Sequence, residues 1–229
     1  MIGRERVAAI VAAGGSGARA GAPKQWLALG GESVLRRSSR LLADCAAVDE
    51  VIAVVPAGDV GRGEADLAGL AKPVRVVAGG ERRADSVRNG LDAAEGCAVV
   101  LVHDAARPFV SADVIDRVLA VAALGAAAVP GVPLADTVKE TDTAGLVVRT
   151  VPRERLVGVQ TPQAFPRAML ETAHQRARGD GPAATDDATL CERLGHPVRV
   201  VAGSAWNIKI TTPEDFALAE ALAGAERIP

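Results

Sequence analysis

A short apolar run that ends in a glycine-rich loop is the feature that most constrains how this chain can fold. Residues 7–13 read Val-Ala-Ala-Ile-Val-Ala-Ala, residues 14–17 read Gly-Gly-Ser-Gly, and Arg19 and Lys24 follow shortly after. A short apolar run bounded by glycines predicts a buried strand. Glycines allow successive backbone N–H groups to turn toward one anion, and the two cations add positive charge beside it. The pattern therefore predicts a phosphate-binding loop after the first strand.

Two known nucleotide-binding loops fit this segment less well. A Walker loop requires Gly-Lys-Ser/Thr at the start of a helix, whereas Lys24 lies between Pro23 and Gln25. Residues 15–20 match a dinucleotide-binding pattern loosely, but Gly21 and Pro23 interrupt the helix that should follow. A dinucleotide site and a purely structural glycine turn stand as the alternatives.

Predicted strands and helices alternate along most of the chain. Further predicted strands are residues 51–55, 74–77, 99–102, 126–129, 198–201 and 207–211. Predicted helices are residues 33–44, 64–71, 111–124, 166–178 and 213–222, with one more ending near residue 94 and one capped by Thr185. The alternation indicates an α/β fold, a Rossmann-like, mostly parallel sheet with helices on both faces. At 229 residues the chain suits a single such domain, residues 1–229.

One segment breaks this alternation. Residues 136–151 contain two β-rich runs around residues 142–145, which predicts a β-hairpin. We expect residues 136–152 to project from the sheet as an arm. The edges of an exposed hairpin must be covered, and pairing with a second copy of the chain would cover them. The sequence therefore predicts a homodimer formed through this arm.

The composition argues against nucleic-acid, membrane and thiolate-metal functions. A net charge of −2 gives no long-range field for polyanions, and 2% aromatic residues leave few rings for base stacking. Residues 118–135 are uncharged, but Gly125, Pro130 and Pro133 divide them into a helix end and a strand. The 3 cysteines form no Cys-x-x-Cys pair, which fits a reducing cytoplasm.

Polar side chains follow the predicted strands at residues 74–77 and 99–102, where ligands of open α/β sheets collect. Arg82, Arg83 and Ser86 are candidates for nucleotide contacts. The alternative is that the arginines are solvated and that Ser86 is a local cap.

Asp104 ends the strand predicted at residues 99–102 and lies near Arg107 in the sequence. A carboxylate at this position could hold Mg²⁺ against phosphates. A salt bridge from Asp104 to Arg107 that only shapes the turn is the alternative. His103 fits a packed residue as well as an acid or base.

Two later segments also carry charges with two possible roles. Asp186 and Asp187 follow Thr185 at a predicted helix start, where capping is the favoured explanation. Lys209 is an isolated cation in the predicted strand at residues 207–211; it would point at water, or at phosphates if any lie near.

Taken together, these motifs resemble the 2-C-methyl-D-erythritol 4-phosphate cytidylyltransferase family of the non-mevalonate isoprenoid pathway. The resemblance runs through nearly the whole chain. Its segments are the glycine loop to Gln25, Gly79-Gly80 with residues 83–87, residues 103–108, Asp136-Thr137 with Lys139, residues 161–163, residues 185–188, and residues 207–209 with Thr211.

The resemblance implies a nucleotidyltransferase-type fold and a role for each matching residue. The implied catalytic residues are Arg19, Lys24, Arg153 and Lys209. The implied CTP contacts are Ala13, Gly14, Gly15, Gly80, Glu81, Ser86, Asp104 and Ala105, with Asp104 also holding Mg²⁺. The implied contacts to methylerythritol phosphate are Arg107, Thr137, Arg153 and Thr161. It also implies a homodimer whose arm completes the neighbour's site.

Two positions depart from the family's usual pattern. Gly14 stands where a second alanine is usual, and Glu81 stands where an aspartate is frequent. We expect small shifts in nucleotide fit from these differences, without loss of activity.

The implied reaction is in-line attack by a phosphate oxygen of the substrate on the α-phosphorus of CTP, with release of pyrophosphate. The attacking phosphate is already anionic near neutral pH, so the reaction requires no general base. Fixed cations and Mg²⁺ would stabilise the charge of the transition state. Two alternatives are a cytidylyltransferase for another polyol phosphate, such as ribitol 5-phosphate, and a non-catalytic nucleotide-binding module.

Overall fold

Eight strands form one central sheet, and two short strand pairs lie outside it. The computed structural model describes residues 5–14, 23–177 and 184–225. Within these residues the strands are β1 (Val7–Ala12), β2 (Ala28–Leu29), β3 (Glu32–Ser33), β4 (Glu50–Val55), β5 (Val74–Ala78), β6 (Val99–Asp104), β7 (Ala127–Pro133), β8 (Val138–Thr141), β9 (Val147–Val151), β10 (Val157–Val159), β11 (Gln163–Pro166) and β12 (Val198–Ala202). The helices are α1 (Val34–Ala43), α2 (Val60–Leu67), α3 (Arg83–Ala93), α4 (Ala112–Ala122), α5 (Arg167–Arg176), α6 (Asp187–Arg193) and α7 (Pro213–Gly224).

The central sheet is mostly parallel, as the alternating pattern predicted. Its order is β10-β7-β11-β6-β1-β4-β5, and β12 also pairs with β7. The pairs β6–β1, β1–β4, β4–β5 and β12–β7 are parallel. Only β10 and β11 run in the opposite direction among the described strands of this sheet. Sequence patterns did not predict β11, which lies between β6 and β7.

Helices cover both faces of the sheet because the central strands are apolar on both sides. On one face Ala9 and Val11 of β1 pack with side chains of α1 and α4. On the other face Ala8 and Ile10 pack with side chains of α3, α5 and α6. These four residues of β1 are all buried, as expected for a central strand of a parallel sheet. In the described part of the chain, no helix has the length and apolarity that crossing a membrane requires.

The predicted hairpin is present, and it forms a sheet of its own. β8 and β9 pair antiparallel, with Val138 opposite Val151. Both strands are almost entirely exposed. Whether this hairpin acts as a dimer arm stays a prediction.

The prediction of a strand at residues 207–211 was wrong. This segment has no ladder partner among the described residues; instead the Ile210 N–H donates to the Ala106 carbonyl at 2.8 Å. Ile210 is fully buried in a small core with Leu29, Val34, Phe109 and Ala219. The segment looks like a strand in sequence because its apolar residues alternate, but one of them fills this separate core.

Two helix starts also differ from the prediction. α2 begins at Val60, not at residue 64, because the chain turns through a 3-10 helix at Ala57–Asp59 directly into it. The cap of α6 is Asp186, whose carboxylate accepts the Thr189 N–H, and not Thr185.

Candidate active site

The loops after four parallel strands meet at one edge of the sheet. Strand register places Ala12 opposite both Asp104 and Val54, and Val55 opposite Ala78. The backbone continues these contacts past the strand ends, with the Ala13 N–H donating to the Val54 carbonyl at 2.8 Å. The predicted loops at residues 13–14, 79–80 and 104–105 are therefore neighbours.

Ser86 lies between the two glycine segments. Its Oγ accepts the Gly80 N–H at 3.1 Å, and its side chain is buried. A Cβ atom on Gly79 would lie 2.8 Å from this Oγ, and one on Gly14 would lie 3.1 Å from it. Glycine at these positions leaves space between the loops that a side chain would fill, and Ser86 holds the turn before α3.

Asp104 is the centre of the charge at this edge. Its Oδ2 lies 2.6 Å from Lys209 Nζ, and its Oδ1 lies 3.3 Å from Arg83 Nη2. Burial raises the pKa of Asp104, but Arg83 and Lys209 outweigh burial and lower that pKa to about 2. The carboxylate is therefore ionised at neutral pH.

Asp104 does not form the salt bridge to Arg107 that was considered as an alternative. The Arg107 N–H donates to the Asp104 carbonyl at 3.0 Å, which closes the turn. The Arg107 guanidinium instead donates from Nη1 to the Asn207 carbonyl at 2.7 Å. Its buried Nε has no hydrogen-bond partner among the described residues.

Lys24, from a distant part of the chain, contacts the segment that carries Lys209. Lys24 Nζ donates to the carbonyls of Ile210 and Thr211, each at 3.2 Å. These residues directly follow Lys209, which pairs with Asp104. We call Lys24, Arg83, Asp104 and Lys209 the charged cluster.

His103 is a packed residue and not an acid or base at neutral pH. It is fully buried, and burial lowers its pKa to about 4. Its Nε2 lies 3.0 Å from the Arg107 carbonyl, so Nε2 donates and Nδ1 accepts from the Thr161 hydroxyl at 3.1 Å. The Thr161 hydroxyl oxygen in turn accepts the Asp104 N–H at 3.0 Å. This chain of hydrogen bonds fixes the backbone at Asp104.

Sequence reasoning underestimated Arg83 and Asp187. Arg83 bridges Asp104 to Asp187, whose Oδ2 lies 2.7 Å from Arg83 Nη1. Only Asp186 caps α6, while Asp187 is buried and also accepts from His174. The Arg-Ala-Asp-Ser and Thr-Asp-Asp-Ala motifs were the available signals, but neither motif specifies that its charges meet.

Several predicted residues lie outside this cluster. Thr137 and Arg153 are exposed near the ends of the hairpin, and Arg153 donates to the Ala135 carbonyl. Glu81 is exposed as well. Gly15 and Arg19 lie outside the described residues.

The remaining predicted contacts lie at the same edge; Ala13 is buried, Gly14 is half-buried and Gly80 is exposed. Ala105 is buried, and its N–H donates to the Ala12 carbonyl at 3.1 Å. The site thus offers several cations beside glycine-rich backbone and one ionised carboxylate, which is an arrangement suited to binding a polyphosphate.

Comparison with known proteins extends this picture. The family model for 2-C-methyl-D-erythritol 4-phosphate cytidylyltransferase matches residues 7–224. The "Bifunctional enzyme IspD/IspF" of Anaeromyxobacter dehalogenans (strain 2CP-C) is 57% identical to this chain, over 97% of this chain and 58% of that enzyme. The 2-C-methyl-D-erythritol 4-phosphate cytidylyltransferase of Pelotomaculum thermopropionicum is 46% identical, over 97% of this chain and 96% of that protein. The chain thus spans 58% of the length of the Anaeromyxobacter relatives.

Solved structures show the same likeness. The crystal structure of 2-C-methyl-D-erythritol 4-phosphate cytidylyltransferase from Thermus thermophilus superposes with a TM-score of 0.82 at 40% identity, covering 96% of this chain and 100% of that one. The crystal structure of 4-diphosphocytidyl-2C-methyl-D-erythritolsynthase from Anaerococcus prevotii gives a TM-score of 0.86 at 30% identity, covering 96% of this chain and 97% of that one.

Proposed function

This chain belongs to the 2-C-methyl-D-erythritol 4-phosphate cytidylyltransferase family, and from that premise we propose that it joins CTP to methylerythritol phosphate in isoprenoid precursor biosynthesis. The products are the CDP-methylerythritol compound and pyrophosphate. The observation that carries the proposal is the charged cluster, because it concentrates cations beside the glycine-rich loops at one sheet edge.

The reaction must bring two anions together, the phosphate of the acceptor and the triphosphate of CTP. A phosphate oxygen of the substrate forms a bond to the α-phosphorus of CTP, and the bond from that phosphorus to the β-phosphate oxygen breaks. Pyrophosphate leaves with the electron pair. Lys24 and Lys209 stabilise the negative charge that builds up, and the neutral His103 takes no proton.

Asp104 is the residue that would hold Mg²⁺. In the described part of the chain no three His, Cys, Asp or Glu side chains form a metal-binding group. One carboxylate with phosphate oxygens is nevertheless a common Mg²⁺ environment, and Asp104 is ionised. Mg²⁺ would neutralise phosphate charge and polarise the reacting phosphorus.

The acceptor side and the dimer belong to the same proposal. Arg107 has a buried Nε without a partner among the described residues, and His103 links its carbonyl to the Thr161 hydroxyl, which supports a role for this pair in orienting the acceptor phosphate. We propose that the hairpin packs on a second copy and brings Thr137 and Arg153 to the neighbour's site. The hairpin exposes three consecutive apolar residues, Leu146, Val147 and Val148, by 68%, 59% and 61%, which supports this arrangement because contiguous exposed apolar patches mark interaction sites. The buried free cysteines support a cytoplasmic location.

The test is pyrophosphate release from each of the four nucleoside triphosphates, with methylerythritol phosphate or ribitol 5-phosphate as acceptor. We expect release with CTP and methylerythritol phosphate. Preference for ribitol 5-phosphate would change the acceptor but leave the reaction class. CTP binding by calorimetry without pyrophosphate release in Mg²⁺ would show a binding module instead of an enzyme.

A further inference from the structure

Asp187 and His174 lie behind the charged cluster and take no direct part in the reaction described above. We propose that Asp187, oriented by His174, positions Arg83 and through it the Asp104 carboxylate. Both are then positioning residues of the active site. This inference rests on the proposed function, and it concerns how Asp104 is kept in the orientation that Mg²⁺ and phosphates require.

Arg83 joins the two carboxylates with fixed geometry. Its Nη1 lies 2.7 Å from Asp187 Oδ2, while its Nε and Nη2 both lie 3.3 Å from Asp104 Oδ1. A guanidinium is planar and presents its donors in a rigid fork. The shorter bond to Asp187 therefore sets the direction of the two donors that reach Asp104.

Asp187 is itself immobilised. Its side chain is 1% exposed, and its Oδ1 accepts from His174 Nε2 on α5 at 3.0 Å. Burial raises the pKa of Asp187, but His174 and Arg83 outweigh burial and lower it, so the side chain is ionised. A buried anion with two fixed partners is a rigid anchor for Arg83.

Residues 161–163, which lead into β11, connect this anchor to the backbone of Asp104. The Gln163 side chain donates to Asp186 at 2.6 Å and accepts the Ala188 N–H at 3.2 Å, which fixes the start of α6. Two residues earlier, the Thr161 hydroxyl accepts the Asp104 N–H. The Thr-Pro-Gln segment therefore holds both the main chain of Asp104 and the helix that carries Asp187.

The two cations on Asp104 differ in mobility. The Lys209 side chain is 44% exposed and has a flexible stem, whereas Arg83 is tied to a buried anion. Without the Asp187 charge, the fork of Arg83 is free to turn onto both oxygens of Asp104. That movement would leave the Asp104 carboxylate less able to bind a metal ion that also binds phosphates.

The test compares Asp187→Asn with Glu50→Gln. Glu50 is a matched control because it is also a buried carboxylate paired with arginine, 2.8 Å from Arg75, but at the opposite end of the parallel strands. The measurements are Mn²⁺ binding in the presence of CTP by electron paramagnetic resonance, steady-state kinetics, and thermal unfolding.

We expect Asp187→Asn to weaken Mn²⁺ binding and to lower kcat by about tenfold or more, the usual effect of losing an outer partner of a ligand. The KM for methylerythritol phosphate stays unchanged, and Glu50→Gln alters neither binding nor kcat. Equal Mn²⁺ binding and kcat in the two variants would overturn the positioning role. In an Arg83→Gln background, Asp187→Asn should add nothing, and multiplying effects would also overturn it.

A second pair of variants tests the proposal if Asp187→Asn does not fold. His174→Ala should weaken Mn²⁺ binding, and His174→Gln should restore it because its amide can donate to Asp187; equal binding in both would refute the proposal. Absence of pyrophosphate release by the unmodified protein would reject the proposed function, while the Mn²⁺–CTP comparison would still test the positioning of Asp104.

Discussion

Individual side chains of the charged cluster carry the proposed chemistry, and Lys24 is the most direct one to test. Lys24→Ala removes a fixed cation from the developing charge, so we expect turnover to fall by about 10²-fold, or about 3 kcal/mol. We expect the fold to stay intact, which thermal unfolding checks. The measurement is kcat by pyrophosphate release, with Lys72→Ala as the control because Lys72 precedes β5, at the other end of that strand from the charged cluster. Unchanged turnover in Lys24→Ala would reject its role.

His103 gives a pH dependence of stability. Its pKa is lowered to about 4 in the folded protein, from about 6.5 in the unfolded chain. The unfolded chain therefore binds more protons between these values, and His103 contributes stability that is present above pH 6.5 and lost as the pH falls through about 4. The contribution is at most about 3 kcal/mol.

The variant His103→Gln isolates this effect because glutamine does not titrate. Chemical unfolding between about pH 7 and pH 4.5 should show a steeper loss of the free energy of unfolding in the unmodified protein than in His103→Gln. The same pH slope in both proteins would show that His103 is not the titrating group.

The substitution Gly79→Ala tests whether the fold and CTP binding need the space between the two glycine loops. A Cβ at this position would lie 2.8 Å from Ser86 Oγ, so Gly79→Ala should destabilise the fold by about 1–3 kcal/mol and weaken CTP binding. Gly58→Ala is the matched control, since a Cβ there has no described neighbour within 4 Å. Adding Ser86→Ala to Gly79→Ala should recover part of the stability. Calorimetry of CTP binding and thermal unfolding measure both effects.

At the scale of elements, the short 3-10 helix Lys24–Trp26 decides where Lys24 lies. The Trp26 indole donates to Asp59 at 3.1 Å, and the Arg62 guanidinium lies 4.3 Å from the ring centre. These contacts attach the helix to the start of α2. The second glycine loop, residues 79–80, is likewise attached to a helix, because Ser86 on α3 accepts the Gly80 N–H.

These contacts predict that Trp26 affects turnover through the position of Lys24. We expect Trp26→Ala to lower kcat by about tenfold, since small misplacements of a charged group are costly. Trp26→Phe keeps the ring stack but loses the N–H bond, so its kcat should fall between those of the unmodified protein and Trp26→Ala. Kinetics with CTP as the varied substrate measure this series, and the prediction fails if Trp26→Ala keeps full kcat while its unfolding temperature drops.

At the scale of the whole molecule, the exposed hairpin determines the predicted assembly. Val147 and Val148 are 59% and 61% exposed, so Val147→Asp with Val148→Asp should place charges in the proposed dimer contact and separate the subunits. Leu124→Asp is the control, because Leu124 is 84% exposed at the end of α4, away from the hairpin. Sedimentation measures the mass, and activity should fall together with dimerisation. A dimer that persists in the double variant would place the interface elsewhere.

The amino-acid sequence by itself determined the α/β class, the parallel strands and the hairpin. These features depend on local periodicity and turn residues, which can be read over a few residues. The family motifs likewise selected the residues at the strand ends. The strand β11 was missed because its single short run carries no such local signal.

Only the tertiary structure decided which charges meet. Asp104 pairs with Arg83 and Lys209 instead of its sequence neighbour Arg107, and Arg83 reaches Asp187 over a separation of 104 residues. The apolar alternation at residues 207–211 became an irregular segment because Ile210 fills a separate core. Partners of this kind depend on which elements pack together, and a local pattern holds no information about them.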